Sequence, residues 1–122
     1  IYSTRLGQDP GQSRREELLT RFIELLETNF SSQRTVKFYA DRLCVTPKHL
    51  SAVVKESSGK TASDWIDQRV ILEAKQLLRS TGMNVQEISA ALNFANQSFF
   101  GKYFKHLTGM SPRDYRSNLP SS

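Results

Sequence analysis

Amide, hydroxyl and ammonium side chains recur along one short stretch of this sequence, residues 95–109. Drawn as a helix, the stretch places five polar or small residues on one face: Gln97, Ser98, Gly101, Lys102 and Lys105. No acid lies between Glu87 and Asp114. A face that exchanges hydrogen bonds, carries positive charge and contains no acid suits base edges and phosphates in the major groove of DNA.

The opposite face of the same stretch is aromatic and apolar, and we expect it to be buried. It consists of Phe100, Tyr103, Phe104 and Leu107, at three- and four-residue steps. Asn96 is the predicted N-cap and Gly109 the predicted left-handed terminator. Phe99 lies between the two faces, and the sequence leaves it open between core packing and contact with a thymine methyl.

Other chemistries lack the residues that they need. Cys44, His49 and His106 do not have the spacing of metal ligands, and Cys44 is predicted to be a small buried turn residue. No glycine-rich phosphate loop follows a strand, and nothing favours a Ser-His-Asp site. We therefore expect no catalytic site, no metal and no cofactor, and the chain is predicted not to be an enzyme.

Composition points to one helical, basic domain. The chain has 122 residues, 38% of them hydrophobic, and a formal net charge of +5, which favours a polyanionic partner. A lone cysteine and the lack of a signal-peptide pattern or membrane-length apolar run predict a cytoplasmic protein with no membrane partner. The chain opens on Ile1, and we expect it to be a fragment of a longer protein.

Cap signals divide the chain into about seven helices of an all-α fold. Residues 1–11 are predicted to be a flexible arm and residues 12–122 the domain, whose first helix is expected to start at the capping box of Ser13 and Glu16. Two helix-turn-helix units are predicted at about 35–59 and 84–109, with a long linker helix at about 61–80 between them.

The two units are an internal repeat. Shifted by fifty positions, Thr46 superposes on Asn96, with matching core, basic and terminator positions after each. The candidate DNA-binding residues follow from this match. They are Thr46, Lys48, His49, Ser51, Ala52 and Lys55 around the third helix, and Asn96, Gln97, Ser98, Gly101, Lys102, Lys105 and His106 around the sixth.

Over roughly residues 35–116 the sequence resembles the arabinose-regulator (AraC/XylS) family of bacterial transcription factors. The most specific part is Ile88-Ser89-x-x-Leu92-Asn93-Phe94-x-Asn96-x-Ser98-x-Phe100-x-x-x-Phe104-Lys105-x-x-x-Gly109-x-Ser111-Pro112-x-x-Tyr115-Arg116. The chain departs from the family pattern at Asn93, Ser89 and Val70, where the family usually has glycine, alanine and arginine.

This resemblance implies sequence-specific binding of double-stranded DNA by a transcription regulator. We expect two recognition helices in consecutive major-groove segments, with a linker helix of roughly 27 Å against about 34 Å between segments. It also implies RNA polymerase as a partner if the protein is an activator, and an N-terminal effector or dimerisation domain outside this fragment, which is expected to be monomeric. The alternative is a basic helical protein-interaction module that reads no DNA sequence.

Overall fold

A computed structural model of the chain describes residues 10–119, with side chains described from residue 14 onward. In this range the fold is all-α and contains no strand, which confirms the predicted class. The helices are α1 (Pro10–Asn29), α2 (Val36–Arg42), α3 (Pro47–Ser58), α4 (Ala62–Ser80), α5 (Val85–Ala91), α6 (Gln97–Thr108) and α7 (Pro112–Ser117). None of these helices is both long and apolar enough to cross a membrane.

Helix starts coincide with the predicted caps from α2 onward. In the capping box of α5, Glu87 N donates to Asn84 Oδ1 and Asn84 N donates to Glu87 Oε1, both at 2.8 Å. At α4, Asp64 N donates to Thr61 Oγ1 at 3.1 Å. These bonds satisfy backbone N–H groups that the first turn of a helix leaves without partners.

The start of α1 differs from the prediction. The helix begins at Pro10, so Ser13 lies inside it rather than ahead of it. Proline is well suited to a first helical position because its fixed φ is already helical and it has no N–H to leave unpaired. Residues 1–9 of the predicted arm lie outside the described residues.

The chain forms two compact units, with the boundary inside α4. The first holds α1 to Asn29, α2, α3 and α4 up to Ile66, and the second holds residues 30–32 and everything from Asp67 onward. In the first unit, the rings of Phe22 and Tyr39 meet edge to face at 5.6 Å, and both residues are fully buried. Burial raises the pKa of Tyr39 to about 12.

The core of the second unit is aromatic and aliphatic. Its buried members are Ile71, Ala74, Leu78, Ile88, Leu92, Phe100 and Phe104. Phe30 packs against this core, and the Arg69 guanidinium carbon lies 3.9 Å from the centre of its ring. Val70, where the family usually has arginine, is fully buried.

Two residues of the second unit are predicted to be buried and are not: Leu107, on the apolar face of α6, and Ala91, which helical spacing puts on the same face as Ile88 and Leu92. Ala91 is exposed and Ser89 is buried. The face of α5 that points inward is therefore the one with residues 88, 89 and 92. The chain after α5 folds back over Ser89, whose carbonyl accepts a hydrogen bond from Phe94 N at 3.0 Å. Leu107 is 39% exposed. It lies in the last turn of α6, at the edge of the face that the core covers.

Candidate nucleic-acid interface

Helix α6 is held in place by its caps and its aromatic face. Asn96 Oδ1 accepts from Phe99 N at 2.9 Å, and Gly109, with φ 87°, ends the helix by donating to Lys105 O at 2.8 Å. Phe100 and Phe104 are fully buried, and their ring centroids lie 5.9 Å apart. Burying these two rings determines which face of α6 remains accessible.

The predicted α6 residues lie together on that accessible face. Gly101 is half-buried and the others are exposed: Asn96, Gln97, Ser98, Lys102, Lys105 and His106. Helical spacing puts Ser98, Lys102 and Lys105 near the middle of the face. Gln97 and Gly101 lie at one edge and line a shallow groove with Arg113, from the first turn of α7. The structure therefore adds a cation to the set that the sequence proposed.

Tyr103 joins α6 to the part of α4 in the same unit. Its hydroxyl donates to Asp67 Oδ1 at 2.7 Å, and its ring lies 5.2 Å from that of Phe94. These contacts hold the flank of α6 that borders the accessible face. The first repeat has no matching hydroxyl, because Val53 occupies the equivalent position and is buried.

Helix α3 is built in the same way. Thr46 Oγ1 accepts from His49 N at 3.0 Å, and Pro47 occupies the first helical position. Its buried face is Leu50, Val53 and Val54. On the other side Ser51 is half-buried, and Thr46, Lys48, His49, Ala52 and Lys55 are exposed.

One acid, Glu56, lies near the end of α3. Its carboxylate is 3.7 Å from the Arg15 guanidinium of α1, and both side chains are largely exposed. The other exposed charged side chains of the helix, Lys48 and Lys55, are cationic. Glu56 therefore makes the outward face of α3 less uniformly positive than that of α6.

The repeat extends to single hydrogen bonds. The Ser58 hydroxyl lies within hydrogen-bond distance of Val54 O and Lys60 O, and the Thr108 hydroxyl lies in the same way between Phe104 O and Met110 O. Each hydroxyl links the last turn of its helix, α3 or α6, to the turn that follows. The two outward faces are therefore supported by the same local architecture.

The turns of the two units differ by one residue. Cys44 and Asn93 each have φ 60°, and each donates its N–H three residues back, to Asp41 O and Ala90 O. These two residues are 49 positions apart, whereas the caps that follow are fifty apart. The prediction that Cys44 is buried is wrong, because the left-handed residue of the turn is exposed and Leu43 beside it fills the core.

Two residues outside the predicted set belong to the accessible surface around α6. Arg113 stands in the acid-free window, which was its only signal in the sequence. Phe99 is 57% exposed, which excludes core packing, one of the two alternatives that the sequence had left open for its ring. In the described part of the chain no cluster of three or more His, Cys, Asp or Glu side chains could hold a metal ion.

Comparison with known proteins agrees with this architecture. Residues 39–118 match the family described as a helix-turn-helix domain. The chain is 29% identical over 93 residues to the arabinose operon regulatory protein of Escherichia coli (strain K12), a match that covers 76% of this chain and 30% of that protein. It is 29% identical over 100 residues to the bifunctional transcriptional activator/DNA repair enzyme AdaA of Bacillus subtilis (strain 168), covering 82% of this chain and 46% of that protein.

Among solved structures, the C-terminal domain of AraT, a response regulator from Geobacillus stearothermophilus, is similar with a TM-score of 0.78 and 28% identity, over 86% of this chain and 88% of that one. The chain spans less than half the length of the two curated relatives above. Two capped helix-turn-helix units in one chain, with a family match over most of its length, lead to one conclusion. The chain belongs to the AraC-type helix-turn-helix family of DNA-binding transcription regulators.

Proposed function

We propose that this chain binds double-stranded DNA sequence-specifically, with α3 and α6 as its two recognition helices. The observation that carries the proposal is the duplicated helix with a buried apolar face, a side-chain N-cap and a cationic outward face. An α-helix fits the major groove, where glutamine, serine and lysine can bond to base edges. Lysines on the same helix can also neutralise phosphates.

Within this proposal Gln97, Ser98 and Lys102 contact bases, and Lys105 and His106 contact phosphate. The support is position, because the first three lie in the first half of α6 and the last two in its final turn. On α3, Lys48, His49, Ser51 and Lys55 serve affinity more than sequence choice, since Ala52 in their midst offers only a methyl group.

A salt titration tests DNA binding and separates it from the protein-interaction alternative. Affinity for random duplex DNA should fall steeply and linearly on a log–log plot, because each phosphate contact releases counterions. Lys105→Ala should reduce that slope by about 1. Arg21→Ala, which removes one exposed charge on α1 outside both recognition helices, is the matched control and should change the slope less. A flat salt dependence of the wild-type chain would support the protein-interaction module instead.

Base reading by Lys102 needs a specific site, obtained by selection from a random DNA pool. Lys102→Ala should then cost about 1–3 kcal/mol on the selected site and relax preference at one position. Equal losses for Lys102→Ala and Lys105→Ala on every DNA sequence would show that neither lysine reads a base.

We also propose that one monomer occupies two consecutive major-groove segments. The two repeats are joined by α4, whose 19 residues give a helix of about 28 Å. The outward faces of α3 and α6 carry different residues, so the site should be non-palindromic. Hydroxyl-radical footprinting should show two protected segments about 10 bp apart, and protection of one segment only, or a palindrome needing two molecules, would refute the arrangement.

The remaining expectations concern the longer proteins of the family. We propose that the chain by itself is monomeric, non-enzymatic and cytoplasmic. We also propose that an effector response, and contact with RNA polymerase if the protein is an activator, involve regions like those that the longer relatives have outside the matched segment. The last point is supported by coverage, because the match spans 30% of one relative and 46% of another, the second of which is both a transcriptional activator and a DNA repair enzyme. Light scattering at several concentrations tests the monomer, and a concentration-dependent mass would contradict it.

A further inference from the structure

Phe99 is an aromatic residue that the protein core does not use. It is 57% exposed, whereas the rings of Phe94, Phe100, Tyr103, Phe104 and Tyr115 lie between 5.2 and 5.9 Å from another ring. Among the residues that the structure describes, Phe99 stacks on no ring. Its apolar surface is therefore available for a ligand.

The position of Phe99 on α6 says which ligand that is. Its N–H is fixed by the Asn96 side chain, so it lies in the first turn of the helix. Helical spacing places it next to Lys102 on the edge of the accessible face. In helix-turn-helix proteins the first residues of the recognition helix are the ones that contact base edges. The first repeat carries the exposed polar residue His49 at the equivalent position.

We propose that Phe99 recognises a thymine by packing its ring on the C5-methyl group in the major groove. The inference rests on the proposed DNA binding and names one base of the site. Among the groups that the four bases display in the major groove, the thymine methyl is the apolar one. A ring that is exposed in the free protein loses water on meeting it, and the gain follows the apolar area buried.

The test removes the thymine methyl group from the DNA, and a protein variant removes the Phe99 ring. Each thymine of a selected site is replaced, one at a time, by deoxyuridine, which keeps the hydrogen-bonding edge and lacks the methyl. The wild-type chain should bind about fourfold more weakly at one position, the fold-change that burial of a single methyl-sized group corresponds to. Phe99→Ala should bind the unmodified site more weakly and show no further loss at that position.

The matched control is Leu72→Ala, which removes an apolar side chain of similar exposure, 55%, from α4. This variant should keep both the affinity and the deoxyuridine penalty of the wild type. A wild-type chain insensitive to deoxyuridine at every position would overturn the proposal, as would a penalty that persists in Phe99→Ala. Normal affinity and an unchanged penalty in that variant would place Phe99 in a different interaction, such as one with another protein. If no DNA site can be selected at all, the proposed function itself fails.

Discussion

Replacing Gly101 by alanine should stabilise the protein and lower its affinity for DNA. Gly101 is the fifth residue of α6 and does not have a positive φ. A Cβ built there meets nothing within 4 Å in the described protein. Alanine therefore gains the full difference in helix propensity, about 1 kcal/mol, with no clash to offset it. For a chain of 122 residues such a gain raises the melting temperature by about 4 °C.

The chain offers two matched comparisons for this stability measurement. Gly109→Ala should destabilise, because φ at Gly109 is 87° and a side chain there is strained. Ser51, on α3, is the repeat equivalent of Gly101, so Gly101→Ser installs a residue that this architecture already accepts at that position. It should stabilise by about half as much as alanine.

The affinity measurement on a selected site decides why glycine stands at position 101. If the helix backbone closely approaches a base or sugar at this position, the added methyl should lower affinity despite the more stable helix. An unchanged melting temperature would refute the structural reasoning. A higher melting temperature with undiminished affinity would instead remove Gly101 from the interface.

Three further variants, with Phe99→Ala as an exposed control, test the packing and hydrogen bonds that stabilise the fold. Phe104→Ala should cost about 3–5 kcal/mol of unfolding free energy in chemical denaturation, because the ring is fully buried, and Phe99→Ala, at an exposed position, should cost less than about 0.5 kcal/mol. Arg116→Ala should lower the free energy of unfolding by about 1–3 kcal/mol, because the guanidinium donates to carbonyls at the end of α4, including Leu78 O at 3.0 Å. A smaller loss would mean that water fully replaces the guanidinium as the hydrogen-bond donor to these carbonyls. Tyr39→Phe should lower the free energy of unfolding by about 1 kcal/mol at neutral pH, because it removes the hydrogen bond from the hydroxyl to a backbone carbonyl. Since burial raises the folded-state pKa of Tyr39 to about 12, from 10.0, the wild type loses stability as pH rises through this range, and urea titrations between pH 10 and 12 should find a weaker decline in the phenylalanine variant.

Local features were predictable from the sequence because they act over three or four residues. The caps at Asn84, Thr61 and Asn96 form within their own first turns, so side-chain type and spacing suffice to identify them. The buried aromatics of α6 followed in the same way from helical periodicity. The thirteen candidate contact residues remain a prediction, although the structure leaves nearly all of them accessible on α3 and α6.

What the tertiary structure alone decided concerns partners that are distant in sequence. Tyr103 reaches Asp67, Asn93 donates to Ser32 O, and Arg116 closes the end of α4. Periodicity names a face but not where the neighbouring element stops covering it. That is why Leu107 and Ala91 were predicted to be buried, and why the exposed ring of Phe99 could not be assigned. Local spacing is enough to predict a helical repeat, whereas the extent of its buried face depends on packing against segments thirty or more residues away.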